Sequence, residues 1–311
     1  MAFGDLPLKL ALVKLFYADA YEIPLPDGHR FPRSKNRLLR ETLLRDQLVP
    51  PERFALSPLA ERDDIIRVHS ADYADGFLGG TLPREMMRRI GMPWSEAYAR
   101  RAMATMGGAV AAMRSAMEHG FSGQLAGGTH HAHADFGSGY CALNDFALAA
   151  ETALAEGLAA RIAIVDLDVH QGDGNAAIFA GRGDVFTFSL HAEKNFPFRK
   201  AVSHLDIGLP DGTEDDAYLR RLHDGLDAVT AFRPDLVLYQ CGVDPLVHDR
   251  LGRLALSYEG LATRDRMVFE RFAAAGVPVS FGVGGGYCDP IEQSVAAYVN
   301  TIRTAKDVYG F

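Results

Sequence analysis

The sequence predicts an α/β protein with a central, mostly parallel sheet and helices on both of its faces. Three observations carry that expectation. From about residue 124 onward, apolar runs of strand length alternate with segments of helical period. Those runs are nearly continuous in Val, Ile and Leu, as strands covered on both faces require. No linker, charge block, repeat or low-complexity stretch interrupts the 311 residues, so residues 1–311 are expected to form one domain.

In chain order, residues 6–17 alternate as a core strand does. Lys9 and Lys14 interrupt that run and no small-residue cleavage site follows, so it does not read as a signal peptide. Residues 17–34, rich in Pro, Asp and Gly, read as a loop, and a polar, Arg-rich helix is expected from about Asn36. Residues 95–119 have the helical period and open on Ser95-Glu96-Ala97, with Gly107-Gly108 marking a close packing contact inside. Strands are expected near Gln124 and over 161–169, 185–190, 236–241 and 277–283. Helices are expected over 145–156 and 258–275 and from Thr213, where Thr213 and Asp216 make a T-x-x-D capping signal.

The formal net charge is −8 with the basic residues dispersed, which argues against a nucleic-acid partner and suits a cationic substrate. Three cysteines, Cys141, Cys241 and Cys288, are odd in number and far apart, so no disulfide framework is expected and a reducing cytoplasm fits. No uninterrupted apolar stretch of roughly 18 residues occurs, so no membrane span is expected.

In such sheets ligands bind at the carboxyl ends of the strands. Four apolar runs end in polar or reactive groups: Gly127-Gly128-Thr129-His130-His131, Asp166-Leu167-Asp168-Val169-His170, Gly242-Val243-Asp244 and Gly284-Gly285-Gly286-Tyr287. Strand alternation would set Asp166, Asp168 and His170 on one side with Leu167 and Val169 on the other. With Asp244, the Asp168-x-His170 pair offers a three-ligand set with an open position, as a catalytic zinc or ferrous site requires. An isolated Asp-x-His pair is more often a cap or a surface turn. Three carboxylates and a His after a hydrophobic strand are different, because buried carboxylates need a cation or a dense hydrogen-bond network. The adjacent imidazoles of His130 and His131 could share proton transfer, and the Tyr287 phenol could donate to an oxygen that becomes negative.

Together with Ser138-Gly139-Tyr140-Cys141, Asn144-Asp145, Gln171-Gly172-Asp173-Gly174 and Ser189-Leu190-His191, these motifs resemble, in order and over nearly the whole chain, those of the histone deacetylases and their bacterial relatives. The His170-Gln171-Gly172-Asp173-Gly174 string and His29-Arg30-Phe31-Pro32 lean toward the class IV enzymes. The resemblance implies a three-layer arginase/deacetylase-type fold and a zinc-dependent deacetylase. Its metal ligands would be Asp168, His170 and Asp244, with Fe2+ as an alternative ion. His131 would be the general base and acid, His130 its partner, Asp166 and Asp173 the carboxylates orienting them, and Tyr287 the phenol polarising the carbonyl. Gly139, Tyr140, Phe196 and Leu251 would line the substrate tunnel, with Tyr140 standing where Phe is commoner. A potassium ion would sit near Asp166, Asp168, His170, Ser189 and Leu190. A second monovalent site near Phe179, Arg182 and Val185 is left unclaimed. The opening segment is less alike, and no catalytic role is assigned to Lys35 or its neighbouring arginines.

The expected substrate is an acylated lysine in a peptide or protein. An acetylpolyamine amidohydrolase would use the same machinery on a diffusible amine, and a non-catalytic acyl-lysine-binding protein is an alternative of another class. A binuclear ureohydrolase would need further carboxylates, but Gly172 and Gly242 stand where they would fall.

Overall fold

The structure, a computed structural model, describes residues 13–311. Eight strands, β1 (Leu15–Tyr17), β2 (Phe54–Leu56), β3 (Phe121–Gln124), β4 (Ile162–Asp166), β5 (Val185–Ala192), β6 (Leu205–Leu209), β7 (Leu236–Gln240) and β8 (Val279–Gly282), form one sheet in the order β2-β1-β3-β8-β7-β4-β5-β6. Its pairings are all parallel, as the apolar runs predict. The helices are α1 (Lys35–Arg45), α2 (Arg62–Ile65), α3 (Ala71–Leu78), α4 (Arg84–Ile90), α5 (Glu96–His119), α6 (Asp145–Ala155), α7 (Asp173–Ile178), α8 (Asp215–Phe232), α9 (Tyr258–Ala274) and α10 (Glu292–Tyr309).

Alternate residues of a strand feed opposite cores. Ile162 and Ile164 of β4 join Leu236 and Leu238 of β7 beneath Met106 and Met113 of α5 and Phe146 of α6. Ala163, Val165, Val237 and Tyr239 enter the other core, with Leu222 of α8, Phe269 of α9 and Tyr298 of α10. The period of two along each strand thus builds three layers. Gly107 and Gly108 are the expected close contact: a Cβ on the first would strike the Pro58 carbonyl, and on the second Ser57 and Gln124.

Several expectations need correction. Strand β4 ends at Asp166, and the chain bends through the residues that follow, although Leu167 and Val169 still pack together in one core as alternation predicts. Helix α8 starts at Asp215, and its N-cap is not Thr213, whose hydroxyl donates to the Pro210 carbonyl instead. The part of the opening strand expected over 6–12 lies outside the described residues. Strands β2 and β6, the short helices α2, α3, α4 and α7, and the long α10 were not expected. Strands β3, β8, β7, β4 and β5 are consecutive neighbours, which brings the polar strand ends to one edge of the sheet.

Candidate active site

The bend after β4 aims Asp168 and His170 at Asp244, which follows β7. His170 Nδ1 lies 3.0 Å from Asp168 Oδ1 and 3.1 Å from Asp244 Oδ2. The far oxygens are anchored to backbone: Asp168 Oδ2 accepts from Gly285 N–H at 2.7 Å, and Asp244 Oδ1 from Val169 N–H at 2.9 Å. Asp244 Oδ2 is buried without a well-aligned hydrogen bond. Burial, and next the negative charge of Asp168, raise the Asp244 carboxyl to about 7. Burial alone would lower the imidazole of His170, but the two carboxylates override it and raise His170 to about 10. Three donors within 4.8 Å of one another, with His170 Nδ1 about 3 Å from each carboxylate and one oxygen with an unfilled lone pair, fit a divalent cation, since tetrahedral zinc spaces its ligands by about 3.3 Å. Bare backbone closes in on these carboxylates. A Cβ on Gly242 would press on Asp168 Oδ2, one on Gly285 on Asp244 Oδ2, and one on Gly172 on Asp166 Oδ2. No side chain for a second ion fits at Gly172 or Gly242 without displacing these groups.

Asp166 does not join this set. It faces the loop after β3, where its Oδ2 lies 2.7 Å from His130 Nδ1. Asp173, the first residue of α7, sits 2.6 Å from His131 Nδ1 and 3.1 Å from His133 Nε2. The two imidazoles of the pair are 4.0 Å apart by ring centroids, yet their environments separate them. For His130 burial lowers the pKa, but Asp166 and Asp168 outweigh it and raise it to about 9. For His131 burial comes first and the charge on His130 second, and together they hold it down to about 4 despite Asp173. His131 is therefore neutral, its Nδ1–H donating to Asp173 and its Nε2 lone pair left to accept a proton.

Tyr287 follows the triple glycine after β8. Its N–H donates to Asp249 Oδ2 at 2.6 Å, and burial, then Asp244 and Asp168, push its phenol well up, so it keeps its proton. A cavity of about 420 Å³ joins these groups. Gly139, Tyr140, Phe196 and Leu251 all line it. The Phe196 ring meets His131 edge-on at 4.9 Å, and Tyr140 lies 6.3 Å from Tyr287. Asp166 and Ser189 pair in register across β4 and β5 with Leu190 next, so the residues expected to hold a monovalent ion are buried together.

Other groups escaped the sequence reading. Asp145 Oδ1 accepts from Thr129 N–H and hydroxyl, and its Oδ2 accepts from Gly128 N–H, fixing the loop that carries His130 and His131. The Asn144-Asp145 motif was the available signal. Asp249 also holds Leu251 and Gly252 N–H, and nothing in its sequence context marks it. Lys35 lines the cavity and donates to the Gly284 carbonyl at 2.7 Å. In a chain of net charge −8, the cavity carries Lys35, Arg101, Lys194 and Arg253 and a single acid, Asp168, itself one of the candidate ligands.

The histone deacetylase domain matches residues 29–302. An uncharacterized protein of Picosynechococcus is 47% identical over 94% of this chain and 98% of its own length. Histone deacetylase 2 of Arabidopsis thaliana is 28% identical, covering 96% of this chain and 80% of the relative, and the acetoin utilization protein AcuC of Staphylococcus aureus is 28% identical over 84% and 73%. The solved structure of a histone deacetylase homologue from Aquifex aeolicus superposes with a TM-score of 0.78 at 24% identity, covering 96% of this chain and 88% of that one. The same scores hold for a homologue complexed with the inhibitor SAHA. Those structures share the arginase/deacetylase-type fold, and the match of the domain over most of the sequence establishes that this chain belongs to the histone deacetylase family.

Proposed function

We propose that this chain is a zinc-dependent deacylase that hydrolyses the amide between an acyl group and the side-chain amine of a lysine in a peptide or protein. The observation that carries the reading is the meeting, at one cavity, of the Asp168–His170–Asp244 set with neutral His131 and protonated Tyr287. Zinc, or alternatively ferrous iron, bound there would supply Lewis acidity toward water and the scissile carbonyl. A potassium ion at the bend of Asp166, Asp168 and His170 with Ser189 and Leu190 belongs to the same reading.

His131 accepts the proton of the attacking water at Nε2 and returns one to the departing amine, with Asp173 fixing its tautomer. Tyr287 donates to the carbonyl oxygen as it gains negative charge. His130, cationic beside Asp166, adds positive potential to the same centre. Tyr140, Phe196, Gly139 and Leu251 flank the lysine methylenes and exclude water.

The lining favours a peptide over a polyamine, because a polycationic substrate would meet Lys194 at a cavity whose one lining acid is Asp168, itself a candidate ligand, while Arg253 is already paired with Asp211 at 2.6 Å. The test compares an acetyl-lysine peptide with an acetylpolyamine, using zinc-loaded wild type, His131→Ala and Tyr287→Phe. Peptide turnover that disappears in both variants is expected. Faster turnover of the polyamine would move the substrate, and tight binding of acyl-lysine without turnover would sink the enzymatic reading.

A further inference from the structure

The cavity is lined not only by the groups that do chemistry but also by Tyr98, Arg101, Ala102 and Thr105 of α5. Phe198, 90% exposed, marks its mouth, whereas Lys35 and Thr105, both buried, mark its floor. Arg101 of α5 lines it too. The Arg101 guanidinium donates to the Tyr21 carbonyl at 3.2 Å and has no ion pair among the described residues. Its nearest acid, Asp19, is already held in a two-pronged bond by Arg40, at 3.0 and 2.7 Å. Burial lowers Arg101 to about 10, which leaves it charged at neutral pH. Lys35 Nζ spends one hydrogen on Gly284 O, and Asn36 beside it has a buried Oδ1 without a partner. Burial lowers the Lys35 ammonium from its ordinary value, but Lys35 and the half-buried Arg101 both keep N–H groups to spare, and Asn36 is an amide that can present either end, so the three offer unmet donors that a polar ligand would satisfy.

We propose that the inner end of the cavity recognises a carboxylate at the far end of the acyl chain, so that the preferred substrates are lysines bearing a short dicarboxylic acyl group such as succinyl or glutaryl. This rests on the deacylase reading and names the acyl class it takes. Arg101 is the principal anchor, by charge-assisted hydrogen bonds of its free N–H groups to the terminal carboxylate, with Lys35 and Asn36 lining the same cavity. The reaction balances as a simple hydrolysis. Water oxygen bonds the acyl carbon, the carbon–nitrogen bond breaks, the lysine nitrogen takes a proton, and the acid leaves as a dicarboxylate. A plain hydrocarbon tail would strand the same cations against methylenes.

The experiment uses the full chain loaded with zinc, alongside Arg101→Met and Arg101→Lys. Calorimetry compares binding of free glutarate with pentanoate, which has the same length and one carboxylate fewer, and kinetics compares glutaryl-, pentanoyl- and acetyl-lysine peptides. Glutarate should bind wild type about tenfold more tightly than pentanoate, Arg101→Met should bring the two together, and Arg101→Lys should restore part of the gap. The glutaryl-to-pentanoyl ratio of kcat/KM should move with it. Equal binding of the two acids by wild type, or a glutarate preference that survives Arg101→Met, overturns the proposal. Selective glutarate binding without turnover of any peptide would uphold the anion chamber and remove the deacylase reading. Brisk deacetylation with no such selectivity would do the reverse.

Discussion

Two buried polar clusters share the ends of β4 and β7 and differ in what they leave unmet. Arg264, fully buried in α9, donates to the carbonyls of Leu167 and Gly242, at 3.3 and 2.6 Å, and pairs with Asp265 at 2.7 Å. Asp265 in turn accepts from the hydroxyls of Tyr239 and Thr301, both at 2.5 Å. A little further along the same strand ends, Asp168 and His170 crowd Asp244, whose Oδ2 finds no aligned donor. The first cluster closes on itself and fastens the two strand ends together. The second holds an excess of acceptors that only a cation can use. Completed buried charge serves the fold, and incomplete buried charge serves a ligand.

Substitutions on either side can break that distinction. Asp244→Asn should abolish turnover while leaving the metal-free protein as stable as wild type or more so, because it removes a carboxylate repelled by Asp168; denaturant melts of both forms check it. Arg264→Met should do the opposite, lowering stability by about 3–5 kcal/mol by stranding Asp265. If Arg264→Met melts like wild type, the two clusters do not differ as described. Tyr287→Phe should lower kcat by about 10²–10³-fold with an unchanged melting temperature. Zinc at a hundred times its Kd should stabilise wild type by about 2.7 kcal/mol and Asp244→Asn much less, read by thermal denaturation.

A third buried group extends the comparison to pH. His69 donates Nδ1–H to the His133 carbonyl at 2.9 Å and accepts Asn144 N–H at Nε2, also at 2.9 Å. Burial holds it down to about 4, below its unfolded value near 6.5. The stability it contributes is therefore present above about pH 6.5 and lost as pH falls toward 4. At pH 5 the loss is about 2 kcal/mol. His69→Gln should flatten the acid limb of the stability curve, and an unchanged limb would count against this neutral, completed site.

The second cluster was legible in the sequence because its residues follow apolar runs and sit among glycines that let backbone approach. The first was not. Arg264-Asp265-Arg266 reads as a solvated helix face, and only the packing of α9 on β7 and α10 buries two of those three charges. Edge strand β6 escaped because Asp206 and Gly208 are exposed and interrupt its apolar pattern. Thr213 misled because its hydroxyl had a nearer acceptor in Pro210. The overall acidity is silent on Lys35 and Arg101 for a related reason: a sum over the whole chain says nothing about which charges line the cavity.

The glycines packed on the ligand carboxylates set a limit on how this protein can change. Gly172, Gly242 and Gly285 leave no room for a side chain beside Asp166, Asp168 and Asp244. No point substitution can place a further metal-ligating side chain at these three positions without moving the backbone. The cavity wall, in contrast, is built of side chains on loops and helix faces, where single replacements are tolerated. Single replacements can therefore reshape the cavity wall far more readily than they can add a ligand beside the buried carboxylates.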